Sequence, residues 1–131
     1  MRSQRCAWEG SDEEVHKKLD FSAVERVYDS KIKGRSVKHK GTSVEYLVKS
    51  LFDYDFVYVD ADHTAASALL DGEIAWRNLK SGGIMAFDDY QWGADLPVHL
   101  APKLGVDLFL HRHQGRYELL EKGLQVWIRK L

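Results

Sequence analysis

Tyr54-Asp55-Phe56-Val57-Tyr58-Val59-Asp60-Ala61-Asp62-His63 and its echo Gly83-Ile84-Met85-Ala86-Phe87-Asp88-Asp89-Tyr90 decide how this chain folds. Each holds a short run of apolar residues that stops abruptly at aspartate. An apolar run without polar alternation reads as a strand buried on both faces, as in a parallel sheet. The chain between the two runs is long enough for one helix, which is what a parallel crossover needs. Such crossovers are right-handed, so the strands lie side by side and end at one edge. Asp60, Asp62, Asp88 and Asp89 then gather where open α/β sheets bind ligands.

The rest of the chain fits around this unit. Asp62 or Thr64 can cap the crossover helix, and Ala65, Leu69, Gly72, Trp76 and Leu79 give it a buried face. Ser81-Gly82-Gly83 reads as the stop that turns the chain into the second strand. Upstream, Phe21 to Ile32 reads as a helix with Phe21, Val24, Val27 and Tyr28 on one face. Ser36 to Lys40 is a weak strand, and Val44, Leu47, Val48 and Leu51 have helical spacing. Downstream, Pro102 is placed to start a helix running to about His111. Tyr117–Leu120 and Gln125–Arg129 flank Glu121-Lys122-Gly123-Leu124 as a closing antiparallel hairpin.

Composition narrows the function. The 131 residues are 44% hydrophobic and 30% charged, with a net charge of −1. That balance is ordinary for one soluble domain and does not point to nucleic acid or an anionic membrane as a partner. Cys6 is the single cysteine, so no internal disulfide forms. No apolar stretch follows Met1-Arg2-Ser3-Gln4-Arg5, so no signal peptide is read, and the expected location is cytoplasmic. The basic run Lys31, Lys33, Arg35, Lys38 and Lys40 reads as solvated surface, as do His111 and His113. Trp76 and Trp127 read as core. Trp8 and Trp92 fall in loops near the ligand edge, and Tyr90 either lines the substrate mouth or packs beside the strand end.

The ordered set Phe56-Val-Tyr-Val-Asp60-Ala-Asp-His63, a helix ending Leu79-Lys-Ser-Gly-Gly83, and Ile84-Met-Ala-Phe-Asp88-Asp-Tyr90 resembles the later half of class I S-adenosylmethionine-dependent methyltransferases. It looks most like their small-molecule O-methyltransferase branch, from Trp8-Glu9-Gly10-Ser11-Asp12-Glu13 to Gln125-Val-Trp-Ile-Arg129. The resemblance implies an α/β fold, a Rossmann-like methyltransferase sheet ending in an antiparallel hairpin, with residues 1–131 as one partial domain. It implies S-adenosylmethionine as cofactor, with Gly41, Thr42 and Ser43 near its adenine and Asp60 at the same site. The spacing of Asp60 from Asp88 and Asp89 resembles the metal-dependent subgroup, which implies that these three hold Mg²⁺ or a similar divalent cation. The residues agree: carboxylates crowded at one edge repel one another and call for a hard cation. Asp62 and His63 are the candidate proton acceptors, with helix capping as their other reading.

The same resemblance implies a glycine-rich turn and an acidic residue that this sequence does not show. It has no G-x-G pattern, and the acidic position falls on Cys6. The expectation is an N-terminally truncated sheet that lacks the strand beside Phe56–Asp60. Its bare edge would then be covered by rearrangement, by a second copy, or by a complementary chain. Three functions follow as alternatives: metal-assisted O-methylation of a small-molecule hydroxyl, a non-catalytic remnant that pairs through the open edge, and metal-assisted hydrolysis.

Overall fold

A computed structural model describes residues 21–32 and 34–131, the side chain of Phe21 excepted. Trp8 and Cys6 lie outside the described residues. The chain divides into two units, one up to Lys40 and one from Gly41 to Leu131.

In the first unit, α1 spans Phe21–Ile32 as its apolar spacing predicts. Over residues 36–40 only Ser36 makes an isolated bridge and no extended strand follows, which corrects that expectation. Val37 is 81% exposed, so the segment has no buried face to favour extending that bridge into a strand. Lys38 instead pairs with Glu25 at 2.7 Å and Asp29 at 2.8 Å.

The second unit opens with α2, Ser43–Lys49, held by a capping box between Thr42 and Glu45. Then come β1 (Tyr54–Val59), α3 (Ala65–Asn78) and β2 (Leu79–Phe87). A 3₁₀ turn at Val98–Leu100 precedes α4 (Pro102–Arg112), with Pro102 in its first turn as expected. The hairpin strands β3 (Tyr117–Lys122) and β4 (Val126–Lys130) close the chain. The sheet order is β1-β2-β4-β3, with β1 and β2 parallel and the other pairs antiparallel. The parallel neighbours and the hairpin therefore stand where the sequence puts them.

Register decides what is buried. Val57 and Val59 pair with Met85 and Phe87, and these with Ile128 and Val126. With strand side chains alternating between faces, this row points at α3 and α4. Met85, Phe87, Val106, Phe109, Val126 and Ile128 are fully buried there. Each such side chain contributes about 1.5–3 kcal/mol. Gly72 of α3 lets the ring of Phe87 approach, for a Cβ there would lie 2.8 Å from it. Phe109 completes the cluster, edge-on to Phe87 and to Trp76.

The opposite face carries Phe56, Tyr58 and Trp127, with Phe56 stacked on Trp127 at 5.9 Å. Phe56 and Tyr58 remain 48% and 41% exposed, and Trp127 is half-buried rather than core. Among the described residues, β1 is an edge strand.

Two local expectations change. Helix α3 ends at Asn78, before Ser81-Gly82-Gly83, because Lys130 Nζ donates to the carbonyls of Trp76 and Leu79 at 2.8 and 2.7 Å. A cation at a helix C-terminus satisfies carbonyls that the next turn would otherwise take. His113 is 5% exposed, not solvated. It packs on Trp76 and Phe109, and its Nε2 lies 2.9 Å from Glu73. Among the described residues no helix is long and apolar enough to cross a membrane.

Candidate functional site

The parallel pair brings its acidic tips to one edge. Asp60 follows β1 directly, and Asp88 follows β2 with its N–H bonded to the carbonyl of Val59 at 3.0 Å. Asp89 then adopts φ of 53°, a left-handed conformation that few residues other than glycine take and that Asp tolerates comparatively well. The turn is fixed by Trp92, whose N–H donates to the Asp89 carbonyl at 2.9 Å, and by Tyr90, whose N–H donates to Leu124 at 3.0 Å.

This turn carries the Asp89 carboxylate to His63. His63 Nε2 lies 2.8 Å from Asp89 Oδ2 and 4.0 Å from Asp60 Oδ1. The ligand atoms of Asp60, His63 and Asp89 all fall within 4.8 Å of one another. The ring of Trp92 lies against that of His63, centroids 4.8 Å apart. Burial pushes the Asp60 carboxyl up from its ordinary value, and the negative charges of Asp88 and Asp89 push it the same way, partly offset by His63. Crowded anions in one place are what a cation relieves.

Asp88 is held differently. Gln125 Nε2 donates to its Oδ1 at 3.0 Å and also reaches the Tyr58 hydroxyl at 2.7 Å. Trp127 Nε1 in turn donates to Gln125 Oε1 at 2.9 Å. The Gln125 bond is the main reason the Asp88 carboxyl sits below the usual range. Its own hydrogen bond to Asp88 pushes the Tyr58 hydroxyl up to about 12.

The remaining predicted residues have structural partners. Asp62 accepts from Ser67 Oγ at 2.8 Å and from the Thr64 N–H at 3.3 Å, steadying the start of α3. Thr64 is the cap itself, accepting from the Ser67 N–H. Thr42 Oγ1 is engaged with Glu45, and Ser43 Oγ donates to Asp71 at 2.6 Å. Gly41 precedes this cap, and a Cβ there would come within 3.3 Å of Glu45. Gln125 and Tyr58 escaped the reading of the sequence. The signal was present: both are polar-tipped residues on the outward register of β1 and at the start of β4.

An open cavity of about 680 Å³ adjoins the triad, lined by Asp88, Asp89, Gln91, Trp92, Glu121, Leu124 and Gln125. Against this geometry, the family model described as a methyltransferase domain matches residues 5–90.

The chain belongs to that methyltransferase family. The match spans about two-thirds of the chain and includes Asp60, His63 and Asp89. No curated protein matches the chain. The family match supports transferase character at the general level, and the mixed α/β fold with its four-stranded sheet is consistent with it.

Proposed function

We propose that this methyltransferase domain transfers a methyl group to the hydroxyl of a small molecule with help from a divalent cation held by Asp60, His63 and Asp89. The convergence of those three ligand atoms within 4.8 Å supports this reading most directly. The donor set fits a cation: two carboxylates favour oxygen-loving ions such as Mg²⁺ or Mn²⁺, and one imidazole also admits later transition ions. A bound cation would polarise an acceptor hydroxyl and lower its pKa.

The chain's own residues do the rest. Asp89, fixed by its left-handed turn, orients the site, and Trp92 holds the His63 ring in place. Gln125 and Tyr58 keep Asp88 ionised at the cavity wall. His63 serves as a ligand in this proposal, and Asp62 holds the turn into α3.

S-adenosylmethionine is the donor that the family suggests. Thr42 and Ser43, expected near its adenine, have their hydroxyls engaged with Glu45 and Asp71. Incubating the chain with Mn²⁺, a catechol and S-adenosylmethionine carrying a labelled methyl group tests the proposal; label in the catechol supports it, and none under saturating cation refutes it for this chain.

The edge strand favours a second reading, a domain that pairs with another copy or a complementary chain. Among the described residues the backbone edge of β1 is unpaired, a liability that natural edges usually cover, and Phe56 and Tyr58 on its open face are half exposed. Sedimentation at rising concentration tests it, with a clean monomer counting against self-pairing.

A further inference from the structure

A second cavity, about 360 Å³, lies between the segment following Tyr90 and helix α4. Trp92, Leu96, Val98, Ala101 and Leu104 form its apolar walls. Val98 and Leu104 are 69% and 39% exposed, so apolar surface is left open to solvent. The two charged residues that line it, Lys103 and Asp107, are paired with each other, and Lys122 approaches Asp107 from outside the lining. Asp107 accepts from the Tyr90 hydroxyl at 2.7 Å, pairs with Lys103 at 2.6 Å and has Lys122 at 3.7 Å. A neutral apolar group is therefore the fitting occupant, since a charged one would have to break these pairs. The size lies in the range of small-molecule pockets, roughly 300–1,000 Å³.

Gln91 and Trp92 line this cavity and also the polar one beside Asp89. We propose that the second cavity takes the apolar arm, aryl or branched alkyl, of an acceptor whose hydroxyl end sits at Asp89, with Trp92 as the wall between the two ends. This rests on the cation-assisted reading above. The acceptors selected are then amphipathic hydroxy compounds rather than polyols.

Calorimetry on the Mn²⁺-loaded 131-residue chain with catechol, 4-methylcatechol and 4-butylcatechol tests this. Affinity should rise about fourfold per added carbon, the transfer value of a buried methylene. Leu104→Trp, which fills the cavity from a partly exposed helix position, should flatten that rise to under about twofold while leaving catechol and Mn²⁺ binding unchanged. Val98→Gln should weaken the rise in the same direction and guards against a folding defect in the first variant. No rise with chain length, or an equal rise in both variants, overturns the proposal. A metal-free arm separates it from the reading beneath it. If Mn²⁺ fails to bind but n-butylbenzene shifts NMR signals in a Leu104-sensitive way, the cavity assignment stands and the cation reading falls. If n-butylbenzene leaves the spectrum unchanged, the cavity assignment falls.

Discussion

His63 Nε2 stands 2.8 Å from Asp89 Oδ2, although the two residues come from the ends of different strands. The parallel pairing of Val59 with Phe87 brings those ends together, and the left-handed backbone at Asp89 turns the second carboxylate inward. Asp88, one residue earlier, points instead to Gln125. Successive side chains alternate at a strand end, so only one of an adjacent Asp pair readily faces a given neighbour.

Asp60 gives the first prediction. Its carboxyl is harder to ionise in the fold than in the unfolded chain, through burial first and then Asp88 and Asp89. The folded state therefore holds that proton more tightly, and stability from this group is lost as pH rises through its titration. In the metal-free chain Asp60→Asn should raise stability at pH 7, by less than about 1 kcal/mol for so exposed a group. The gain should vanish in acid. Urea melts at two pH values measure it, and with saturating Mn²⁺ the sign should reverse.

Tyr58 gives the second. Hydrogen bonding to Asp88 pushes its hydroxyl up to about 12. Its contribution to stability is full below the unfolded value and lost as pH climbs from about 10 toward 12. Absorbance titration of the phenolates, compared with Tyr58→Phe, should show one late-titrating tyrosine missing. Asp88→Asn should bring that tyrosine back toward the ordinary range.

Packing gives the third. At Gly72 an added Cβ meets the edge of the Phe87 ring at 2.8 Å; at Gly105 it runs into the Ala65 carbonyl oxygen, a backbone atom. A ring can shift where backbone cannot. Gly72→Ala should cost about 1–3 kcal/mol of overpacking, offset by about 1 kcal/mol of helix propensity. Gly105→Ala should cost clearly more, because α3 and α4 must separate there. Denaturant midpoints of the two variants should differ in that order.

These features were unevenly legible in the sequence. Phe56–Val59 and Ile84–Phe87 announced themselves as apolar runs, and their aspartates marked the strand ends. But β1 is not covered on both faces as such a run implies: Phe56 and Tyr58 stay exposed because no element packs over that side among the described residues. Pro102 and the spacing within Phe21–Ile32 marked helices by local geometry alone. What depended on distant partners was hidden. His113 is buried because Glu73 of α3 meets it, and α3 stops at Asn78 because Lys130, at the far end of the chain, caps it. The division of labour between Asp88 and Asp89 turned on one backbone angle, which composition does not reveal.

The most direct measurement is Mn²⁺ titration followed by electron paramagnetic resonance. One saturable ion per chain is predicted, with Asp89→Asn, which keeps the left-handed turn, weakening it at least about tenfold. Asp88→Asn should change the affinity far less. No saturable binding, or Asp89→Asn binding as tightly as the parent chain, would contradict a cation site built from Asp60, His63 and Asp89.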